Sequence, residues 1–272
     1  MKIMINGLPG NVAVMLTGHI IADERFELVP YSLTGPEITA AEHRVAGIPV
    51  ALVRPEDKER RIREIIDQHG AFISIDFTHP SAVNDNARFY CAKGLPFVMG
   101  TTGGNRQALA QTVEASDNLA VIAPNMAKQI VGFQAMLEFA AENFSGLFTG
   151  YTMSVRESHQ QGKADTSGTA KAVVKSFNDL GVDFATDRIE MVREPEVQEK
   201  EWGIPKAYLG GHGWHTYTLL SPDQTVRFEF THNINGRDVY AHGTLDALVF
   251  LAGKIEKGET GRVYSMIDVL KG

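Results

Sequence analysis

Between Lys2 and Pro124 the chain alternates short apolar runs with segments whose apolar residues recur at helical spacing, and this alternation restricts the fold more than any other feature. KIMIN (2–6) reads as a strand, and GLPGNVA then leads directly into the helical VMLTGHII, giving strand, glycine turn, helix. FELVPYSL is a second strand. After a polar stretch, RPEDKERRIREIIDQHG sets Ile62, Ile65 and Ile66 on one face of a charged helix that stops at Gly70. AFISIDF is apolar almost throughout, as expected of a parallel strand buried on both faces. PSAVNDNARFYCAK, LPFVMG, NRQALAQTVEAS and NLAVIAP continue the alternation. Five strands interleaved with helices predict an α/β, doubly wound parallel sheet of the nucleotide-binding kind.

After Asn125 the pattern changes. KQIVGFQAMLEFAAENF is one long amphipathic helix, followed by the strand GYTMSVRES and the helix TAKAVVKSFNDLG. RIEMVREP, GWHTYTLLS and TVRFEFTHNI then read as strands, so an open α+β sheet with one face covered by helices is expected. Its bare face predicts a homo-oligomer. VYAHGTLDALVFLAGKIEKG is a final helix, and GRVYSMIDVLKG closes the chain. Composition narrows the partners. Net charge is −7 with no basic block, which argues against nucleic acid. The apolar runs fall short of the roughly 20 residues of a membrane span. The single cysteine, Cys91, lies in an apolar helical pattern, reads as a small buried hydrophobe, and fits a reducing compartment. With no secretory leader at MKIMING, the expected location is cytoplasmic. Trp202 and Trp214 read as packing residues and KERRIRE as a solvated helix face.

GLPGNVA fits G-x-x-G-x-x-A, with Gly7 making the turn, Gly10 allowing close backbone approach and Ala13 packing helix on strand. Asn11 and Val12 open the helix, whose N-terminus is suited to a pyrophosphate. The second strand ends in YSLTG, with no acid where an NAD enzyme usually holds the ribose 2′-hydroxyl. Ser32 and Thr34 can instead donate to a 2′-phosphate, which favours NADPH and leaves NADH possible. Phe77 and Thr78 of DFTHP, Gly100, Thr101 and Thr102 of GTTGG, and Ala123, Pro124, Asn125 and Met126 of APNMA all follow strands. They are expected to border one crevice at the carboxyl ends of the sheet and to meet the nicotinamide half of the cofactor.

The stretch ESHQQGKADTSGTA (157–170) combines a helix cap, Thr166 or Ser167, with the free amides of Gly168 and Thr169 and the charge of Lys163. That is a carboxylate receptor. His159 just before it is suited to give or take a proton near neutral pH. No metal is expected: His212 and His215, three apart in a strand, point to opposite faces, with no cysteine or carboxylate at ligand spacing.

ESHQQGKADTSGTA, together with GLPGNVA, DFTHP, GTTGG, APNM, THNINGR and YSMIDVL, resembles the 4-hydroxy-tetrahydrodipicolinate (dihydrodipicolinate) reductases along nearly the whole chain. The resemblance implies a Rossmann-type domain over 1–126, joined by the C-terminal helix region 240–272, and a substrate-binding and oligomerisation domain over 127–239. It implies hydride transfer from NAD(P)H to a cyclic imino dicarboxylate in lysine and diaminopimelate biosynthesis, and a homotetramer in preference to a dimer. Carried over by position, His159 and Lys163 match the family's acid pair, Gly168 and Thr169 its carboxylate loop, and Arg237 a basic residue near the substrate. Gln160 stands where many bacterial members have a second histidine, and the Asp165–Gly168 loop is shorter than theirs; both features resemble the plant-type branch and make Gln160 a partner for a substrate carboxylate. Asn11 replaces a usual arginine and removes a phosphate partner. Other readings remain at this level: a different NAD(P)-dependent reductase of a small acid, or a dinucleotide-binding redox sensor. The short-chain dehydrogenases are excluded, because no Tyr-x-x-x-Lys pair occurs.

Overall fold

The computed structural model describes residues 1–272 and divides into two compact units, Met1–Lys128 with Tyr240–Gly272, and Gln129–Val239. In chain order the elements are β1 (Lys2–Asn6), α1 (Asn11–Ala22), β2 (Glu27–Leu28), β3 (Tyr31–Leu33), β4 (Glu42–Val45), β5 (Ile48–Val53), α2 (Lys58–His69), β6 (Ile73–Asp76), α3 (Val83–Ala92), β7 (Phe97–Met99), α4 (Arg106–Glu114) and β8 (Leu119–Ile122). There follow α5 (Lys128–Asn143), β9 (Thr152–His159), α6 (Gly168–Asp179), β10 (Glu190–Val192), α7 (Pro195–Lys200), β11 (His212–Leu220), β12 (Arg227–Asn235), α8 (Asp238–Glu256), β13 (Arg262–Tyr264) and α9 (Met266–Lys271). No helix is long and apolar enough to cross a membrane.

The first unit holds a six-stranded sheet in the order β13-β8-β7-β6-β1-β2, parallel at every pairing. This is the doubly wound sheet that the alternation predicts. α2, α3 and α4 bury Ile62, Ile65, Val83, Ala87, Leu109 and Val113 in one cluster with strand residues such as Met4, Phe97 and Ala120. α2 stops at Gly70, whose φ of +73° is costly for any side-chain-bearing residue.

Three details differ from the expectation. FELVPYSL is not one strand: Pro30, which has no N–H to give a ladder, separates β2 in the main sheet from β3 in a small second sheet, β3-β5-β4. The polar stretch before α2 contains the β4–β5 hairpin, turned at Ala46 and Gly47 with φ of +48° and +82°. Finally, RVY near the C-terminus pairs with β8 and becomes the sixth strand.

The second unit is an open mixed sheet, β10-β9-β11-β12, with β9 antiparallel to β11 and parallel to β10. Period-two alternation holds on β9 from Thr152 to Glu157 and breaks at buried Ser158. Met153, Val155 and Glu157 are buried while Thr152, Ser154 and Arg156 are exposed. The buried face packs against Val173, Val174 and Phe177 of α6 and Leu137 of α5. RIEMVREP yields only three strand residues, because Pro195 starts α7 at its first helical position.

Candidate active site

In the first unit the strand order reverses between β1 and β6, the place where a doubly wound sheet opens a crevice. The loops after these strands touch there. Gly7 adopts φ +112°, and a Cβ on it would overlap the Phe77 carbonyl. Gly10 donates to the Gly7 carbonyl at 2.8 Å, and a Cβ on Gly10 would sit 2.8 Å from that same oxygen. The first helical donor of α1 is Val14 N, bonded to Gly10 O at 2.9 Å, so the Asn11, Val12 and Ala13 amides have no acceptor in the helix. Beside them lies a cleft of about 880 Å³ lined by Gly7, Gly10, Thr34, Phe77 and Thr78 among the expected residues. Close backbone approach, free amides and this volume fit a dinucleotide's phosphates and adenosine half.

A buried carboxylate braces the neighbouring loops. Asp76, wholly buried, accepts from Thr101 Oγ1 (2.6 Å), Thr78 Oγ1 (2.9 Å), Tyr90 OH (2.8 Å) and Asn86 Nδ2 (2.9 Å), which ties DFTHP to GTTGG. Burial and the adjacent Asp76 carboxylate push the Tyr90 phenol well above its usual pKa. Gly100 is fitted under the Phe77 ring, which a Cβ would overlap, and Thr102 is exposed beside it. Ala123, Pro124, Asn125 and Met126 follow β8 on the same sheet edge but do not line the cleft. Asn125 Oδ1 accepts from Ala127 N at 2.9 Å, and the Met126 carbonyl presses on Gly243 of α8, where a Cβ would overlap it.

The adenosine end corrects the reading of YSLTG. Ser32 is fully buried with its hydroxyl accepting from Leu8 N at 3.2 Å, so it supports the glycine loop from behind and faces no phosphate. Thr34 donates to Leu8 O at 2.7 Å but still lines the cleft. An acid is present after all. Glu37, three residues beyond Thr34 and past a Gly-Pro turn, folds its carboxylate back onto Gly35 and lines the cleft, as does Lys58 at the start of α2.

In the second unit β9 carries Glu157 and His159 on one face, and the loop that follows turns back onto them. Ser167, not Thr166, caps α6, its Oγ accepting from Ala170 N at 3.4 Å. The Ser167 amide is committed to Glu157 at 3.0 Å, which leaves the expected amides of Gly168 and Thr169 open to a substrate carboxylate. Lys163 pairs with the exposed Asp165 (Nζ–Oδ1 2.6 Å), and that pairing lowers the Asp165 pKa. Gln160 holds the turn through its carbonyl, which accepts from Lys163 N at 3.0 Å. Arg237 follows β12 at the sheet end where His159 lies; it is exposed, with its guanidinium over Gly211 and no contact with His159.

Several residues at the site had no role in the sequence reading. Glu157 is wholly buried and bonded by Arg193 Nη2 at 2.6 Å. Arg193 also donates to the Lys163 carbonyl at 2.9 Å, so one guanidinium links the carboxylate to the loop. Gln198 of α7 donates to the His159 carbonyl at 2.7 Å. His159 itself lies 3.0 Å (Nδ1) from the His212 carbonyl and 3.3 Å (Nε2) from His215 Nε2. Burial lowers its pKa to about 4, with Arg193 and Lys163 acting the same way against the pull of Glu157. His159 is neutral at neutral pH.

The reading of the histidines as remote from any carboxylate is also corrected. His212 and His215 do face opposite ways, yet strand pairing sets His215 directly across from Glu157, and Glu157, His159 and His215 bring ligand atoms within 4.8 Å of one another. Spacing within one segment cannot reveal that. The Arg193 guanidinium already balances the Glu157 charge, while His215 Nε2 lies 3.8 Å from the Glu157 carboxylate and His215 Nδ1 has no partner.

Comparison with known proteins agrees with this geometry. Residues 1–126 match the family model described as dihydrodipicolinate reductase, N-terminus, and residues 130–270 that described as dihydrodipicolinate reductase, C-terminus. The chain is 44% identical over 271 residues to 4-hydroxy-tetrahydrodipicolinate reductase 1, chloroplastic, of Arabidopsis thaliana, covering 99% of this chain and 78% of that one. It is 31% identical over 283 residues to the 4-hydroxy-tetrahydrodipicolinate reductase of Herminiimonas arsenicoxydans, covering 99% and 98%. The dipicolinate-bound dihydrodipicolinate reductase from Paenisporosarcina sp. TG-14 shares the fold, with a TM-score of 0.66 at 17% identity and 97% coverage of both chains. The higher identity to plant relatives agrees with the plant-type features of the 157–170 stretch. It also overturns the cytoplasmic expectation, since four relatives at 43–44% identity are chloroplastic by name. A lone cysteine reports a reducing milieu and does not choose among reducing compartments.

Proposed function

The chain belongs to the dihydrodipicolinate reductase family, and on that premise we propose that Lys163 is its proton donor and that His159 takes part as a neutral imidazole. The reaction is the NAD(P)H-dependent reduction of 4-hydroxy-tetrahydrodipicolinate in lysine and diaminopimelate biosynthesis. When bound, the nicotinamide supplies a hydride to the conjugated ring. The protein must then give one proton to the enamine that results, and the ammonium of Lys163 carries one. The observation that supports Lys163 over His159 is the state of the imidazole: both its nitrogens face partners inside the protein and burial lowers its pKa to about 4, so at neutral pH it lacks the extra proton of an imidazolium.

Two substrate carboxylates need two anchors. The Gly168 and Thr169 amides at the α6 N-terminus form one, Gln160 and Lys163 flank it, and Arg237 at the same sheet end is suited to the other. Homo-oligomerisation, as a tetramer in preference to a dimer, is supported by the uncovered sheet face with Arg156, Thr216 and Thr231, and by exposed Met136, Phe139, Phe144 and Leu147 on and after α5. Light scattering should give four times the 29.8 kDa chain mass, and a monomer mass would refute it.

For the cofactor, NADPH is favoured through Lys58, with Thr34 lining the same cleft, while Glu37 can accept from the free ribose hydroxyl of NADH. The ratio of kcat/KM for NADPH to that for NADH is expected to exceed one and to fall about 10- to 100-fold in Lys58→Ala, since one charge-assisted contact is worth about 1.5–3 kcal/mol. An unchanged ratio in that variant would remove Lys58 from the phosphate site.

A further inference from the structure

The buried face of the second unit's sheet carries a row of imidazoles that the reaction as described does not use. In register, His215 on β11 lies opposite Glu157 on β9, and His232 on β12 lies opposite His215. The rings of His215 and His232 stack at 4.6 Å, and Phe133 of α5 packs against His232. Gly213, opposite His159, leaves the space its ring occupies: a Cβ there would come within 3.1 Å of His159 Cε1.

The hydrogen bonds determine the tautomers. A backbone carbonyl only accepts, so the His159 nitrogen 3.0 Å from the His212 oxygen bears the ring proton, and Nε2 of the neutral ring is bare. His215 Nε2, 3.3 Å from that bare nitrogen, is then the donor. Its own Nδ1 is left without a proton, which agrees with the lack of any partner for that buried atom.

We propose that His215 is a positioning residue for His159: its Nε2–H selects the Nδ1–H tautomer of His159 and opposes protonation of Nε2, so that the imidazole stays uncharged through the reaction and Lys163 alone supplies the proton. The proposal rests on the reading that His159 serves the reaction. A protonated His159 would turn an N–H towards the N–H of His215. His215 could avoid this only by moving its own proton to Nδ1, which has no acceptor in a site 3% exposed. The other groups facing His159 act in both directions. Glu157 on its own strand and the His212 carbonyl favour the cation; Lys163 in the loop and Arg193 after β10 oppose it, and His232 lies behind His215.

Imidazole NMR of isotopically labelled protein tests this directly. In the wild type, His159 should show the Nδ1–H tautomer and remain neutral to below about pH 5. His215→Leu removes the donor and should raise the His159 midpoint by about one unit or more, while His215→Gln, which keeps an N–H donor, should hold it low. Activity should follow the charge. The acid limb of the rate should move with the midpoint: His215→Leu is expected to turn over about fivefold more slowly than wild type near about pH 4 and at nearly the same rate near about pH 8, where His159 is neutral in either protein. An unchanged His159 midpoint in folded His215→Leu, or a raised one in His215→Gln, would overturn the proposal. Full turnover by His159→Gln would instead overturn the reading of His159 as a reaction residue, and the tautomer result would stand by itself.

Discussion

Lys163→Ala should lose about 10²- to 10⁴-fold in kcat, the usual worth of a positioned proton donor, with little change in NADPH affinity. The substitution removes the ammonium and leaves its surroundings in place, because the loop is held by its backbone: Lys163 N donates to Gln160 O at 3.0 Å, and Arg193 Nε donates to Lys163 O at 2.9 Å. Asp165, the side-chain partner, is 79% exposed and loses only a solvated ion pair. Stability should therefore stay close to wild type, which separates a chemical defect from a folding one. Lys163→Arg keeps the charge and can still attract a carboxylate, but its guanidinium does not give up a proton. It is expected to restore substrate KM without restoring kcat. Steady-state oxidation of NADPH in the three proteins, with cofactor binding followed by fluorescence, reads both quantities. If the alanine variant keeps more than about a tenth of the wild-type rate, the proton has another source, and the assignment made from the neutrality of His159 is wrong.

The large elements were legible because each carries its own periodicity. AFISIDF can be little else than a buried strand, and the α2 sequence shows both its apolar stripe and its stop at Gly70. The β4–β5 hairpin escaped notice because its Ala-Gly turn is a weak signal beside Asn-Gly, and RVY is too short to declare itself before β8 gives it a partner. Within the site the division is similar. The glycine turn, His159, Lys163 and the α6 cap lie in contiguous stretches whose local pattern has a physical meaning. Glu157, His215 and His232 meet only through strand register, and Arg193 reaches Glu157 from 36 residues away, so a single chain offers no local sign of them. Ser32 shows the opposite failure: its residue type suits a phosphate, but the turn at Pro30 carries it behind the glycine loop, where it is fully buried.

Arg193→Ala should be the most destabilising single change at this site. Glu157 is wholly buried, Arg193 is 14% exposed, and the two are joined at 2.6 Å. Removing the guanidinium leaves a carboxylate with the Ser167 amide as its nearest donor, at 3.0 Å, and no cation bonded to it. Stranding a buried charge in this way costs about 3–5 kcal/mol, which for a protein of this size corresponds to a fall of roughly 10 °C in the melting midpoint. The same guanidinium donates to the Lys163 carbonyl, so the loop should loosen as well and activity should fall even where the protein is folded. A paired variant separates the two effects. Glu157→Gln combined with Arg193→Met replaces the ion pair by neutral groups of similar size, and such replacements are often close to neutral in stability. The double variant is expected to regain most of the lost midpoint while its rate stays low, because a thioether in place of the guanidinium has no N–H to hold the Lys163 carbonyl. Calorimetry and kinetics on the three proteins test this. A double variant as unstable as Arg193→Ala would mean that the ion pair is not what Arg193 contributes, and a double variant with wild-type turnover would mean that the tether to Lys163 does not govern the chemistry.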